Sequence, residues 1–317
     1  MCNGSVVGVH PFRFGVLAKA ARSRSAWTEL ACRVEALGYS TLLVPDHARP
    51  QLAPFPALLA AAASTTTLRV GTLVANNDFR HPTVTAREAL TVDQLTDGRL
   101  ELGLGAGWMR RDYEETGIPW DRGSLRVERF EEAVAVIRLM EEERPFDFDG
   151  RWYRLSNMHG GPAPVQRPLP VLIGAGGPQM LAAAARSASI VSFGRSMAAG
   201  PTAADAARDA ARDATERKLA VLREAAGAGF DRLELNVLLT MVEVGSGSGK
   251  RAREFGAEVG LSDAKVAATP QHLLAADAEQ AVTILRERRE SLGISYFVVN
   301  EPVLESFAPV VSTLAGT

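Results

Sequence analysis

Two short stretches of the sequence combine residue types that could carry out chemistry. Asp46-His47 follows the apolar run Thr41–Val44 after a single proline, and histidine is the side chain that most readily exchanges a proton near neutral pH. The second stretch is a Gly-Ala-Gly-Gly turn at residues 174–177, which follows a buried-type apolar run and precedes Pro178. Its glycines let backbone N–H groups converge, and a helix that begins at Pro178 adds partial positive charge. We therefore expect an anion, such as a phosphate group, to bind there.

Each stretch also has a purely structural interpretation. A turn can require glycine without binding anything, and a loop histidine can simply be capped by the aspartate beside it. The three glycines exceed what a tight turn needs, which favours the anion site. A strand end is where α/β barrels keep their active sites, which favours a functional His47.

Residues 68–108 connect these candidates to an architecture. A β-branched run, Leu68–Val74, ends in Asn-Asn-Asp, Pro82 can open a helix, and a second run, Arg99–Leu104, enters Gly-x-Gly-x-Gly at 103–107. A strand, helix and strand of these lengths predict a βαβ unit with parallel strands. The glycines complete no dinucleotide fingerprint, so we expect them to admit a flat ligand against the backbone, with Trp108 and Trp120 as pocket walls or core.

The same alternation continues along the chain and predicts eight strands: Phe12–Leu17, Thr41–Val44, Leu68–Val74, Arg99–Leu104, Pro170–Ile173, Ile190–Phe193, Leu233–Val242 and Tyr296–Val299. Most are followed by a helix, which predicts a single (β/α)8 TIM barrel over residues 1–317, with an open doubly wound sheet as the alternative. We expect two interruptions. One is an insertion over about residues 145–169 with a two-residue hairpin turn at Asp149-Gly150, and the other is a mobile loop over about 195–213.

Composition excludes several classes of function. The 317 residues carry a formal net charge of −2, which gives no basic surface for nucleic acid, and no apolar run reaches the roughly 20 residues of a membrane span. The five histidines are scattered, so no metal site is predicted. Without a signal peptide, and with Cys32 expected to be a buried thiol rather than half of a disulfide, we expect a cytoplasmic protein.

Four motifs in this order resemble the bacterial luciferase-like family. They are Asp46-His47, GTLVANNDFRHP at 71–82, DGRLELGLGAGW at 97–108 and LIGAGGPQML at 172–181. Together they most resemble the branch of the family that uses the deazaflavin coenzyme F420, over a stretch from about Phe12 to Val299.

The resemblance implies a barrel with a cofactor ring at the carboxyl ends of its strands. It implies a cis peptide bond at Leu73–Val74 behind the ring, phosphate on the 174–177 turn, and His47 as the group that handles the proton. With the strand glycines, the expected cofactor-binding residues are Asp46, Leu73, Val74, Asn76, Gly105, Gly107, Gly174, Ala175, Gly176 and Gly177. Bulk added at Gly176 is expected to cost cofactor binding and little stability.

The function implied is an oxidoreductase that transfers hydride between bound coenzyme F420 and a small organic substrate, with a homodimer as the candidate assembly. The alternatives are an FMN-dependent two-component monooxygenase and a non-catalytic cofactor-binding protein. One departure bears on the substrate. The sugar-phosphate dehydrogenases of the branch carry an acid just after the strand-four glycines, where this chain has Trp108, which argues against a sugar phosphate.

Overall fold

The computed structural model describes residues 10–196, 200 and 202–317. The elements of its N-terminal half are β1 (Arg13–Leu17), α1 (Arg24–Ala36), β2 (Thr41–Val44), α2 (Pro54–Ala62), β3 (Arg69–Thr72), β4 (Ala75–Asn76), α3 (Pro82–Leu95), β5 (Leu100–Gly105), α4 (Arg110–Thr116), α5 (Gly123–Met140), β6 (Phe146–Asp149), β7 (Arg154–Met158) and β8 (Val171–Ala175). Those of its C-terminal half are α6 (Pro178–Ser187), β9 (Ile190–Phe193), α7 (Ala203–Ala210), α8 (Arg212–Ala226), β10 (Glu234–Leu239), β11 (Met241–Val244), α9 (Ser248–Val259), α10 (Asp263–Ala268), β12 (His272–Ala275), α11 (Ala278–Leu292), β13 (Ile294–Asn300) and α12 (Leu304–Leu314).

The chain has the (β/α)8 barrel fold that the sequence predicted. Its eight parallel barrel strands are β1, β2, β3, β5, β8, β9, β10 and β13. Each coincides with a predicted strand, with ends displaced by a few residues. Every residue of β2 and of β5 is buried, which explains why these strands are near-continuous apolar runs rather than alternating patterns. No helix in the described part of the chain is long and apolar enough to cross a membrane.

Two compact units can be distinguished within the chain. The N-terminal unit comprises residues 17–35 and 41–174, in which β2, β3, β5 and β8 are hydrogen-bonded in that order. Leu42 is level with Val70, and Val70 with Leu100, so the carboxyl ends of these strands lie at one edge. Asp46-His47 follows β2 at that edge, and Asn76 and Gly105 close β4 and β5 there.

The C-terminal unit comprises residues 10–16, 36–40 and 175–317. Its barrel strands are ordered β1, β13, β10 and β9. Phe12, Phe14 and Phe297 stack with ring centroids 6.1–6.3 Å apart, and Phe307 of α12 meets Phe14 edge-on. This aromatic cluster is fully buried and forms the core between strand and helix. That the whole chain is one domain stays a prediction.

The insertion over 145–169 contains the predicted hairpin, but its turn is longer than expected. Strand β6 ends at Asp149 and β7 begins at Arg154, which leaves four residues between them rather than two. The N–H of Gly150 donates to the carbonyl of Tyr153 at 2.9 Å. The turn is held by Glu132 of α5, whose carboxylate accepts from the N–H groups of residues 151–153. This partner is distant in sequence, so local turn preferences could not reveal it.

The prediction of a mobile loop over about 195–213 was wrong for residues 203–210, which form helix α7. Thr202 and Asp205 make a capping box at its start, with the Thr202 hydroxyl accepting from the N–H of Asp205 at 3.1 Å. The alanine-rich sequence then favours helix. Residues 197–199 and 201 lie outside the described part of the chain.

Helix α1 buries Trp27, Ala31 and Val34, which recur at helical spacing and form its apolar face. Cys32 lies on the other side of the helix and is exposed, so the expectation of a buried thiol was wrong. Gly38 follows the helix with φ +81°, as a left-handed terminating glycine requires.

Glu35 joins α1 to the turn that leads into β3. One of its carboxylate oxygens accepts hydrogen bonds from the N–H groups of Thr66, Thr67 and Leu68 at 2.6–3.0 Å. Partial burial raises the pKa of Glu35, but the hydrogen bonds from Thr67 and Leu68 outweigh it and lower the pKa from 4.5 to about 2. The ionised carboxylate therefore stabilises the start of β3.

We predict that Glu35→Gln lowers the free energy of unfolding by about 1–2 kcal/mol at pH 7, because solvent screens part of the interaction of this half-buried carboxylate. Because the folded-state pKa lies below the unfolded one, this contribution is complete above about pH 4.5 and is lost as the pH falls towards about 2. Urea unfolding from pH 7 to pH 3 measures it. Glu29→Gln, an exposed change on the same helix, is the control, and equal pH dependence of both variants would contradict the prediction.

Candidate active site

His47 has a partner that sequence reasoning missed. Its Nδ1 lies 2.7 Å from Oδ2 of Asp112, and the Asp112 side chain is only 2% exposed. Asp112 stands in the first turn of α4, where the helix N-terminus favours a carboxylate. The available signal in the sequence was an acid one helical turn after Trp108. Nothing local indicates that it returns to His47, 65 residues earlier.

Asp46 is engaged by the protein on both carboxylate oxygens. Oδ2 pairs with Nη1 of Arg80 at 2.6 Å and accepts from the N–H of Asn76 at 3.1 Å, while Oδ1 lies 3.4 Å from Arg80 Nη2. Asp46 is buried. The pair thus fastens the segment after β2 to the segment after β3, and contact between Asp46 and a cofactor stays a prediction.

Asn76 and Asp78 meet the hydroxyl group of Tyr113. That hydroxyl donates to Oδ2 of Asp78 at 2.8 Å and lies 3.3 Å from Oδ1 of Asn76, which also accepts from the N–H of Asp78. Burial, together with the charge of Asp78, raises the pKa of Tyr113, so the phenol stays a hydrogen-bond donor. Tyr113 thereby fixes α4, and with it the neighbouring Asp112.

The negative charge of Asp78 is balanced by Arg129 of α5. Two guanidinium nitrogens of Arg129 donate to the two Asp78 oxygens at 2.8 and 2.7 Å, and a third donates to Asp121 at 2.7 Å. The hydrogen bonds to Asp78 raise the pKa of Arg129. This fork-to-fork geometry is the strong form of an arginine–carboxylate pair.

The two candidate tryptophans have different surroundings. Trp120 is packed between Tyr113, at 4.7 Å between ring centroids, and the Arg126 guanidinium, 3.7 Å above its ring. Trp108 is 46% exposed and meets the His47 ring edge-on at 5.8 Å. Trp120 is therefore part of the packing, and Trp108 is the one that can form a wall beside His47.

The Leu73–Val74 peptide bond is cis, as predicted. It separates β3 from β4, so the predicted strand Leu68–Val74 ends at Thr72. The Val74 side chain points at glycines of neighbouring strands. A Cβ at Gly105 would lie 2.6 Å from Val74 Cγ2, and one at Gly174 would lie 3.4 Å from Cγ1.

Glycine is therefore required at these strand positions for a reason that differs from the one the sequence suggested. Gly105 admits the Val74 side chain, and Gly107 has φ +75° and admits the Tyr113 hydroxyl, which a Cβ would overlap. At Gly103 the backbone carbonyl of Thr72 fills the corresponding space. We expected these glycines to make room for a flat ligand. On the side where their Cβ atoms would lie, this was wrong, because other protein atoms fill that space. Contact of Gly105 or Gly107 with a cofactor stays a prediction.

The 174–177 turn leads into α6, whose N-terminus has no side-chain cap among the described residues. Gly176 packs against backbone, since a Cβ there would overlap the Arg195 carbonyl, whereas a Cβ at Gly177 would meet only Ser196 Oγ at 3.6 Å. The expectation that bulk at Gly176 leaves the fold intact was therefore wrong. Arg195 Nε is buried and has no hydrogen-bond partner within the described ranges.

Buried charge also supports the segment that faces Gly176. Lys218 of α8 donates to the Gly194 carbonyl at 3.0 Å and to Asp209 Oδ2 at 2.7 Å, and that oxygen accepts from the N–H of Ser196. Burial lowers the pKa of Lys218, and Asp209 opposes the shift. Across residues 10–196, 200 and 202–317, no group of three His, Cys, Asp or Glu side chains could hold a metal ion.

A family model described as luciferase-like monooxygenase matches residues 6–233. The chain belongs to the luciferase-like monooxygenase family. The cis Leu73–Val74 bond and the His47 position lie within the matched residues, as does the 174–177 turn. The resemblance that the four motifs indicated is confirmed.

The chain is also similar to curated proteins whose activity is named. The F420-dependent glucose-6-phosphate dehydrogenase of Intrasporangium calvum is 35% identical over 167 residues, 49% of this chain and 49% of that one. The chain spans about half the length of the curated relatives it matches.

Solved structures match the family fold over nearly the whole chain. The coenzyme F420-dependent tetrahydromethanopterin reductase of Methanopyrus kandleri superposes with a TM-score of 0.75 at 18% identity, covering 96% of this chain and 99% of that one. A long-chain alkane monooxygenase also gives 0.75, at 14% identity, covering 96% and 91%. At such identities the likeness concerns the fold, which proteins of different chemistry share.

We predict that Gly107→Ala destabilises the protein by about 3 kcal/mol or more, because it adds strain at positive φ and displaces the Tyr113 hydroxyl from Asp78. Gly117→Ala is the matched control, since its φ of +73° is nearly the same but nothing lies within 4 Å of the added Cβ. It should cost about 1–2 kcal/mol. Urea unfolding of both variants measures the difference, and equal losses would mean that the Tyr113 contact stabilises nothing.

Proposed function

We propose that the protein is an oxidoreductase that uses coenzyme F420 to transfer hydride to or from a small organic substrate. The observation that carries this proposal is the pairing of His47 Nδ1 with the buried Asp112 carboxylate, which leaves Nε2 as the nitrogen that can exchange a proton. The relative of Intrasporangium calvum, named as F420-dependent, supports the choice of cofactor.

The residues that would hold the cofactor are those the family resemblance implied, and two features of the chain fit that role. The uncapped N-terminus of α6 and the open space beside Gly177 suit an anionic group. The Nε of Arg195, buried and without a partner among the residues described, supplies an unsatisfied donor in the segment packed on Gly176. Phosphate is the anion we assign to this turn.

When bound, the deazaflavin ring supplies a carbon that accepts or gives up hydride. The chain's own residues then handle the proton and the orientation. His47 Nε2 takes or returns the proton of the substrate heteroatom, while Trp108 limits access of water to one edge of the imidazole. Asp46 with Arg80, and Asp78 with Arg129, keep the segments around Asn76 in place.

The substrate class follows from the wall beside His47. Trp108 occupies the place where the sugar-phosphate dehydrogenases of the branch carry an acid, so we propose a substrate without a sugar phosphate. Its large exposed indole suits an apolar group next to the reacting atoms. A cytoplasmic location and a homodimer belong to the proposal on the strength of the sequence alone.

Anaerobic titration of the purified protein with coenzyme F420 and with FMN tests the choice of cofactor. We expect tighter binding of coenzyme F420, followed by F420-linked turnover in a screen of alcohols and carbonyl compounds. Tighter binding of FMN, with turnover that requires oxygen, would instead identify a monooxygenase. Tight binding of either without any turnover would point to a cofactor-binding protein.

We predict that His47→Ala lowers turnover on a substrate found in that screen by about 10²–10⁴, the usual contribution of a positioned acid or base. Cofactor affinity should change less than threefold, because the 174–177 turn and the Leu73–Val74 region are untouched. His81→Ala is the control, since His81 caps α3 by accepting from the N–H of Thr83. Normal turnover by the His47 variant would remove it from the chemical step.

We predict that Gly177→Val weakens coenzyme F420 binding at least tenfold and leaves the melting temperature within about 2 °C. The added side chain covers the start of α6, and its Cβ meets only Ser196 Oγ, at 3.6 Å. Gly123→Val is the control, because Gly123 opens α5 and a Cβ there meets nothing within 4 Å. Fluorescence titration measures the affinities, and unchanged affinity of the Gly177 variant would place the anion elsewhere.

A further inference from the structure

We propose that Asp112 is a positioning residue for His47, which fixes the imidazole so that Nε2 is the nitrogen that exchanges a proton with the substrate. The assignment of the reaction rests on the proposed function, whereas the effect of Asp112 on the His47 ring does not. Asp112 lies outside the four sequence motifs that indicated the family.

The contact with Asp112 favours one tautomer of His47 when the carboxylate is ionised. Asp112 Oδ2 lies 2.7 Å from Nδ1, and an ionised carboxylate only accepts hydrogen bonds. Nδ1 therefore carries the proton, and Nε2 presents a lone pair. Trp108 contacts the same imidazole edge-on with planes at 85°, so the ring is held by a hydrogen bond and by an aromatic wall. The His47 side chain keeps 23% exposure, which leaves it accessible to a small molecule.

Hydrogen bonds within α4 and the anchoring of Tyr113 place Asp112. The N–H of Asp112 donates to the Met109 carbonyl at 3.0 Å, and its own carbonyl accepts from the Thr116 hydroxyl at 2.7 Å. Tyr113, the next residue, is 1% exposed and is anchored on Asp78. These contacts fix the carboxylate in one direction.

A structural role alone does not explain this carboxylate. Asp112 Oδ1 is buried, and none of the residues that the structure describes gives it a hydrogen bond. An unsatisfied buried acceptor of this kind lowers stability. The other two acids of α4 behave differently, since Glu114 and Glu115 are exposed and pair with Arg110 and Arg111 one turn earlier. Asp112 is thus the acid on this helix whose position favours function over stability.

Asp46 and Asp78 are engaged by other partners, so Asp112 is the carboxylate that pairs with His47. Asp46, the preceding residue in the chain, has both oxygens engaged by Arg80 and by the N–H of Asn76. Asp78 is committed to Arg129 and Tyr113. When Nε2 accepts a proton, the resulting positive charge on the ring lies against Asp112, which stabilises it.

For an alcohol substrate of the proposed function, the reaction can be written in full. The hydroxyl O–H bond of the alcohol breaks, and its proton goes to Nε2 of His47. The carbinol C–H bond would break, and its hydride, with both electrons, would pass to the oxidised deazaflavin when that cofactor is bound. The substrate carbon–oxygen bond becomes a carbonyl, so the alcohol is oxidised by two electrons and the cofactor is reduced by two. Reduction of a carbonyl compound runs through the same atoms in reverse.

Nitrogen-15 NMR of the full-length protein, labelled in histidine, tests the positioning role without any substrate. The His47 signal is identified by its loss in His47→Gln. We expect an Nδ1–H tautomer in the parent and a shift towards Nε2–H in Asp112→Asn, with the parent tautomer restored in Asp112→Glu. An Nε2–H tautomer in the parent would overturn the proposal by itself, even if the Asp112 variants failed to fold. An unchanged spectrum in folded Asp112→Asn would also overturn it.

Kinetics on the substrate from the screen test the catalytic consequence. Asp112→Asn should lower kcat about 10²–10⁴-fold, with KM and coenzyme F420 affinity within about threefold, and Asp112→Glu should recover at least tenfold. Glu114→Gln, an exposed acid on the same helix, is the control. Normal kcat in Asp112→Asn would overturn the catalytic part. A tautomer shift in a protein that does not bind coenzyme F420 would support the positioning role and reject the proposed function.

Discussion

The hydroxyl group of Tyr113 occupies the space that a side chain at position 107 would need, and much of the N-terminal unit's site depends on this fit. It requires glycine at 107, a residue that also tolerates the positive φ of the turn after β5. Once seated, the hydroxyl binds Asp78, and Asp78 binds Arg129 of α5. The same anchoring orients α4 so that Asp112 reaches His47. One close contact therefore positions both the Asp78–Arg129 ion pair and the Asp112 carboxylate that contacts His47.

Three buried carboxylates surround this contact, and their partners separate structure from chemistry. Asp46 pairs with Arg80, and Asp78 pairs with Arg129. Arginine stays protonated in proteins, so these pairs hold the chain in place without exchanging protons. Asp112 pairs instead with His47, the one partner of the three that is an imidazole and so can act as a general acid or base. Of the three pairs, Asp112–His47 is therefore the one that can take part in proton transfer.

Much of the fold was predictable from local patterns, and much of the site was not. The eight strands followed from apolar runs bounded by turns. The cis bond at Leu73–Val74 was predicted from resemblance rather than from local preference. Asp112 was missed because its partner lies 65 residues away, and the reason for Gly107 was missed because it is a tyrosine on the next helix. Both depend on contacts that form only when the strands are assembled.

The identity of the bound cofactor is the most direct test of the central claim. The protein would be purified from a host that makes both deazaflavin and flavin cofactors, and whatever it retains would be released and identified by mass and absorption spectrum. A deazaflavin bound in near one-to-one amount is the expected result. FMN in its place, with no deazaflavin, would contradict the claim.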